Sequence, residues 1–439
     1  MDTTTHYHTK VLRAVVRLML TLTAVLLAIP AAAAPLQQTP ARPSASVGAW
    51  PAPPFEAYVR QSFGFVRDKP SVGSRLLAML RTGDQVTVAG CTPACDAPRG
   101  WALLEPRGAI PLANLRTGER PAVVQSQSAS AVYFYGNVPR PRTPVYAQPD
   151  VKSKVLRRER ASFRLAFVPD AALSERGWLR RPDGGYMQKS AIKLFTPSTF
   201  VGEHDPAAPV LAFVRRKVAL RPEGAKSPPK DPAAVHWFSR YDRLPVKAIQ
   251  GQKVHVTGGW VPRSLVRIAT AQERPKGVKP ADRWLHVDLA EQILTAYEGD
   301  KMVFATLIST GKPGTSTKAG RFEVYGKTVH GTMHGRPWDY YYAEEVPHVL
   351  HFDAGRAFHG AYWHDQFGIM KSHGCINLSP ADAAWLYQFV PPATPAGWHN
   401  VLPLAWGVRP VAVLVDKPGK RQTHPQSLAK GPTPQIAKQ

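Results

Sequence analysis

Three observations in the 439 residues predict a mainly β protein, with small β units in a row followed by a mixed β-sheet domain that carries one covering helix. Short runs rich in β-branched and aromatic residues are cut at close intervals by Gly, Pro and Asp, as strands and tight turns require. A weak motif recurs three times in the order glycine, apolar pair, polar step, apolar residue, cation. A single strong helix signature lies near the C-terminal end, from Ser379 to Val390.

The chain opens with a segment that is not expected to join any core. Lys10, Arg13 and Arg17 precede the apolar run Leu18 to Ile29, and Ala31 to Ala34 follow as small residues. That order is the pattern of a cleavable export signal over residues 1–34. A twelve-residue helix rises only about 18 Å, too short for a hydrocarbon core of roughly 30 Å, so no stable membrane span is expected after cleavage. Residues 35–54, rich in Pro, Ala, Ser and Gln, read as a flexible linker.

The β units come next. In the first, 55–118, Tyr58-Val59, Phe63 to Val66, Leu76 to Leu80, Val86 to Val88 and Trp101 to Leu104 read as strands. The recurring motif ends it at Arg107 to Arg116, ends a second, more degenerate unit (130–197) at Gly184 to Lys193, and ends a third (208–270) at Gly258 to Arg267. Gly224 to Ala234 reads as an exposed loop of the third unit, and Ala271 to Ala281 as the linker into the last domain, 282–416.

That domain opens with alternation. Leu285, Val287 and Leu289 interleave with Trp284, His286 and Asp288, and the runs Ile293 to Glu298 and Met302 to Thr310 flank Gly299-Asp300, a two-residue hairpin turn. Phe322 to Lys327 reads as a further strand. Gly326 to Pro347 shows no period; with Trp338 and Tyr340 to Tyr342 it reads as a loop, either a lid over a site or aromatics packed on the sheet. In the helix, Ser379 is the N-cap, Pro380 the first helical residue and Asp382 the partner of a capping box, while Pro391-Pro392 ends the run. Val411 to Asp416 reads as a last strand, and 417–439 as a disordered basic tail.

Charge and cysteines narrow the chemistry. A net charge of +25 suits an anionic cell-envelope surface as well as a merely solvated basic one. No zinc-finger spacing or base-stacking aromatic repeat accompanies it, so nucleic acid is not an expected partner. Cys91 and Cys95 can close a small disulfide loop in an exported chain; free thiols and zinc are the rival readings. Cys375 is then unpaired. A thiol reacts as thiolate, and with a pKa of about 8.5 it needs a nearby base. His373 stands two residues away and His359 sixteen. Ser372 and Gly374 complete the nucleophile loop, the glycine letting a substrate approach closely. The histidines from His330 to His373 are dense enough to raise metal binding, but Gly331 and Gly335 break the helix that would align His330 with His334, so no metal is expected.

Ser372-His373-Gly374-Cys375-Ile376-Asn377, with His359-Gly360 upstream, resembles the signature of the YkuD-type L,D-transpeptidase catalytic domain. Trp284 to Leu289, Tyr297 to Asp300 and Ser309-Thr310-Gly311 fall in the same order, so the likeness covers 282–416. It departs at Thr317 to Phe322, where the family has a Thr-Pro-Thr-Gly-like turn. The first unit, through Val66 to Ser71, Leu80 to Asp84 and Gly100-Trp101, resembles bacterial Src-homology-3 (SH3-like) barrels that contact the cell wall. The resemblance implies an exported enzyme of the periplasm or cell wall acting on peptidoglycan stem peptides without any cofactor. It implies Cys375 as nucleophile, His359 as base oriented by the carbonyl of Gly360, and backbone N–H groups of the Cys375 loop as an oxyanion hole. Asn377, Tyr362 and Trp363 join Gly360 as candidates for the substrate-binding side. Transfer to an amine and hydrolysis by water use the same groups, and a wall-binding protein with an inert thiol is the third reading.

Overall fold

The computed structural model describes residues 50–60, 63–97, 99–119, 129, 132–336, 339–416 and 419. The predicted export signal, most of the linker after it, Trp338 and nearly all of the tail lie outside the described residues. From Pro51 onward the described residues pack as one compact unit.

The recurring motif has a structural counterpart. Ala109–Pro111, Tyr186–Gln188 and Gly259–Pro262 are strands, each followed by one 3₁₀ turn, and each turn leads into another strand, at Leu115–Arg116, Lys193–Leu194 and Val266–Thr270. The first unit forms one seven-stranded sheet whose pairings run from Leu76–Leu80 at one end to Leu115–Arg116 at the other. Among the described residues no pairing joins the two ends into a closed barrel. Cys91 and Cys95 are disulfide-bonded with their Cα atoms 5.0 Å apart.

Strands β1 (Phe134–Asn137), β2 (Arg164–Phe167) and β3 (Lys193–Leu194) come from the second unit, and β4 (Glu203–His204) from the segment after it. The short helix α1 (Ala171–Glu175) lies between β2 and β3. The last domain supplies β5 (Arg283–Asp288), β6 (Ile293–Glu298), β7 (Lys301–Leu307), β8 (Gly320–Glu323), β9 (Gly326–Arg336), β10 (Asp339–Asp353), β11 (Arg356–Gly360) and β12 (Ile376–Leu378). Helix α2 (Pro380–Phe389) and strands β13 (Asn400–Val401) and β14 (Ala412–Val415) complete it.

One sheet runs β4-β7-β6-β5-β14-β8. The predicted turn at Gly299-Asp300 closes its β6–β7 hairpin, with Glu298 opposite Lys301. Alternation places Leu285, Val287 and Leu294 on the face covered by α2. Trp284, Ile293 and Tyr297 take the other face, packed on Phe213 and Ala269 of the third unit. Both faces are therefore buried, where the sequence predicted cover from the helix alone.

The second sheet overturns one expectation. Gly326 to Pro347 is not an irregular loop: it lies in the hairpin β9–β10, in the order β3-β1-β2-β10-β9-β13, with β11 on β10 and β12 on β11. The period is hidden because the pairing shifts register twice between Gly331 and Arg336, and Glu345 and His348 adopt φ of +47° and +56°. Each shift flips which side chains face the core. The second unit is sewn into this sheet, since Arg164 of β2 pairs in parallel with Ala343 of β10.

Helix α2 begins as predicted. The Ser379 hydroxyl accepts from the N–H of Asp382 at 3.1 Å. The Asp382 carboxylate also accepts from Gly202 N at 2.8 Å and from the Thr306 hydroxyl. Past the other end the buried Lys327 ammonium donates to the carbonyls of Val390, the C-cap residue, and Pro392.

Candidate active site

Cys375 sits half-buried just ahead of β12, and it is the one free cysteine among the described residues. Strands β11 and β12 run parallel with Phe358 opposite Ile376 and His359 opposite Asn377. This register brings the residue before Ile376 beside Ala357, so the histidine and cysteine stretches that lie sixteen residues apart in sequence are neighbours across one ladder.

The loop ahead of the cysteine is held from both sides. Asn377 and Ser309 exchange backbone N–H bonds at 2.9 Å, and Ser372 N donates to the carbonyl of Thr310 at 3.0 Å. Within the loop the Ser372 hydroxyl accepts from Gly374 N at 3.0 Å and donates to the carbonyl of Cys375. Gly374 has φ of +120°, which favours glycine, and a Cβ there would meet Arg356 Nε at 3.2 Å. The stretch from Thr317, where the sequence departs from the expected turn, still serves the loop: the Thr317 hydroxyl accepts from Gly311 N and donates to the carbonyl of Gly374, both at 2.9 Å.

Burial pushes the Cys375 thiol up, while the Ala357 N–H and the Arg356 guanidinium, favouring the anion, pull it back. Arg356 is anchored by Asp353 at 2.7 Å. His359 is almost fully buried, and that burial lowers its pKa to about 4, so the ring is neutral at pH 7. Its Nδ1 lies 3.4 Å from the carbonyl of Gly360. With the proton on Nδ1, Nε2 keeps a free lone pair.

The other candidates have varied places. His373 is exposed, its ring 4.6 Å from that of Tyr341 on the β9–β10 hairpin. Trp363 is half-buried with its ring 5.7 Å from His359. Asn377 is buried and its amide Nδ2 lies 3.0 Å from Nε2 of His364. Tyr362 is buried, stacked at 3.7 Å on Tyr135 of the second unit, and its hydroxyl donates to the carbonyl of Glu344 at 2.9 Å. Gly360 faces the helix: a Cβ there would meet Pro347 at 3.0 Å and Pro380 at 3.3 Å. Among the described residues no group of three His, Cys, Asp or Glu side chains is placed to hold a metal.

Residues 282–398 match the YkuD family, described as the L,D-transpeptidase catalytic domain. The segment is a YkuD-type domain. It contains the whole of the site just described, and enzymes of this family depend on a cysteine. A curated relative, described as a putative L,D-transpeptidase of Bacillus subtilis, is 24% identical over 135 residues, which cover 27% of this chain and 66% of the relative. Among solved structures, a cysteine-to-serine variant of the Enterococcus faecium L,D-transpeptidase is 27% identical over 32% of this chain and 50% of that one, with a TM-score of 0.25. An L,D-transpeptidase from Mycobacterium smegmatis is 20% identical over 50% of this chain and all of that one, with a TM-score of 0.26. The chain thus spans half of the enterococcal protein and just under two thirds of the curated relative.

In the sequence Arg356 does not stand out, Tyr341 does so only within the aromatic run Tyr340 to Tyr342, and His364 only as one of many histidines. No short pattern marks them, because each reaches the YkuD-type site through sheet pairing or a turn.

Proposed function

We propose that this protein is an exported peptidoglycan L,D-transpeptidase in which Cys375 is the nucleophile and His359 the base. The observation that carries the reading is the parallel pairing of β11 with β12, which sets a neutral, buried His359 beside the strand that Cys375 immediately precedes. His359 Nε2 takes the thiol proton, and the sulfur attacks the stem-peptide carbonyl that precedes the terminal D-residue. The carbon–nitrogen bond breaks, the leaving amine takes the proton from His359, and a thioester remains. An amine of a second stem then gives a proton to His359 and attacks the thioester, which restores the thiol. The oxyanion needs free donors. Gly374 N is already committed to Ser372, so the N–H of Cys375 is assigned to it. Ser372, His373 and Gly374 shape the loop, and Trp363 is the candidate for substrate contact. Periplasm or cell wall is the expected location. Water in place of the acceptor amine makes the same site a carboxypeptidase.

The test is intact-mass spectrometry of the mature chain after incubation with a carbapenem, beside Cys375→Ala. One adduct that disappears in the variant is the expected result. A wild-type chain that is folded and reduced yet gains no mass would overturn the reading.

A further inference from the structure

The arginines at the seam between the N-terminal units and the β9–β10 hairpin are not alike. Arg81 grips Glu345 through two nitrogens at 3.1 and 3.0 Å. Arg181 reaches Glu344 at 2.6 Å. The half-buried guanidinium of Arg164, on β2, has neither a hydrogen bond nor a carboxylate partner among the described residues. Its guanidinium lies over the ring of Trp363, 5.1 Å from the centroid, and Trp363 is the residue whose ring neighbours His359. Its charge is also felt by His364 and by Tyr341.

A cation partly withdrawn from water without a counter-charge costs free energy unless a ligand supplies one. Burial accordingly weakens the hold of this guanidinium on its proton. The cation–π contact offsets part of that cost and fixes the plane of the fork, leaving its N–H edge for an acceptor. Among biological anions, a carboxylate matches that fork with two parallel hydrogen bonds.

We propose that Arg164 receives a carboxylate of the peptide substrate, so that the second N-terminal unit supplies part of the substrate site. This rests on the acyl-transfer reading above and names the charge that the substrate must carry. It also gives the β2–β10 pairing a purpose, because that ladder is what carries Arg164 to Trp363.

The experiment compares alkylation of Cys375 by iodoacetate, an anion, and by iodoacetamide, its neutral analogue, in the mature chain and in Arg164→Met and Arg164→Lys. The rate ratio of acid to amide is expected to fall several-fold in Arg164→Met, to stay near the wild-type value in Arg164→Lys, and to shrink in the wild type at high salt. In parallel, the KM for a stem tetrapeptide ending in D-alanine is expected to rise about tenfold in Arg164→Met with kcat little changed. An unchanged acid-to-amide ratio overturns the proposal, and so does an equal loss with both reagents accompanied by a lower Tm, which would make Arg164 a packing group. A falling ratio in a protein that leaves the tetrapeptide intact keeps the anion site and removes the transpeptidase reading instead.

Discussion

The two sheets of the YkuD-type region are built on opposite plans. The sheet around β5, β6 and β7 is mostly a matter of sequence neighbours, joined by a two-residue turn and stiffened by apolar side chains on both faces. The sheet around β9 and β10 is assembled across the chain: β2 lies nearly two hundred residues before the strand it pairs with. The first has one deeply buried ion pair, Arg263 with Glu291, which ties the turn between β5 and β6 to the third unit. The second is pinned through β10 to both earlier units, by Arg181 to Glu344 and Arg81 to Glu345, and it carries His348, His351 and His359, whose pKa values burial lowers. The difference lies in where the ion pairs sit, since those of the second sheet hold the hairpin that reaches His373 through Tyr341.

Breaking a pin should affect the second sheet most. Glu344 also accepts from Ala166 N at 3.1 Å, so Glu344→Ala strands a guanidinium that is 3% exposed. A loss of about 3 to 5 kcal/mol is expected on the scale of a broken buried pair, read from urea unfolding. The comparison fails if the loss is no larger than for a surface pair.

Acid should separate the sheets next. Burial lowers His348, His351 and His359 to about 4, and all three lie in β10 or β11. Their unfolded value is near 6.5, so between pH 6.5 and 4 the unfolded chain binds more protons than the folded one. Stability is therefore intact above about pH 6.5 and falls as pH drops, by up to roughly 1.4 kcal/mol per pH unit for each group. Hydrogen exchange at pH 5 should deprotect amides of 326–360 before those of 283–307. Equal deprotection would show that the two sheets open together.

The smallest effect is expected at the helix that both sheets share. Ser379→Ala removes the cap on Asp382 N and should cost about 1 kcal/mol in either probe.

The same contrast explains what could be read from the residues alone. Strict alternation over Trp284 to Asp288, the Gly299-Asp300 turn and the Ser379-Pro380 helix start are local signals, and each is where expected. The disulfide at Cys91 and Cys95 was likewise local. The β9–β10 hairpin escaped because register shifts and two positive-φ residues scramble its period. Tyr362 and Gly360 read from the sequence as substrate-side candidates, yet their contacts are with Tyr135, Glu344 and Pro380, partners that only the assembled sheet and helix bring near. Cys375, His359 and the loop between Ser372 and Asn377 were legible as a motif, whereas Arg356 and Arg164 were not, since a single cation near a turn or in a strand carries no pattern.

The seam between β2 and β10 also bears on inheritance. A genetic exchange that moved 282–398 as a cassette would carry away the bare hydrogen-bonding edge of β10 and leave behind β14, the strand between β5 and β8. An uncovered edge invites pairing with the wrong chain. The N-terminal units and the YkuD-type segment are therefore expected to travel through descent as a single piece, with the border of the matched family lying inside the folding unit rather than at its rim.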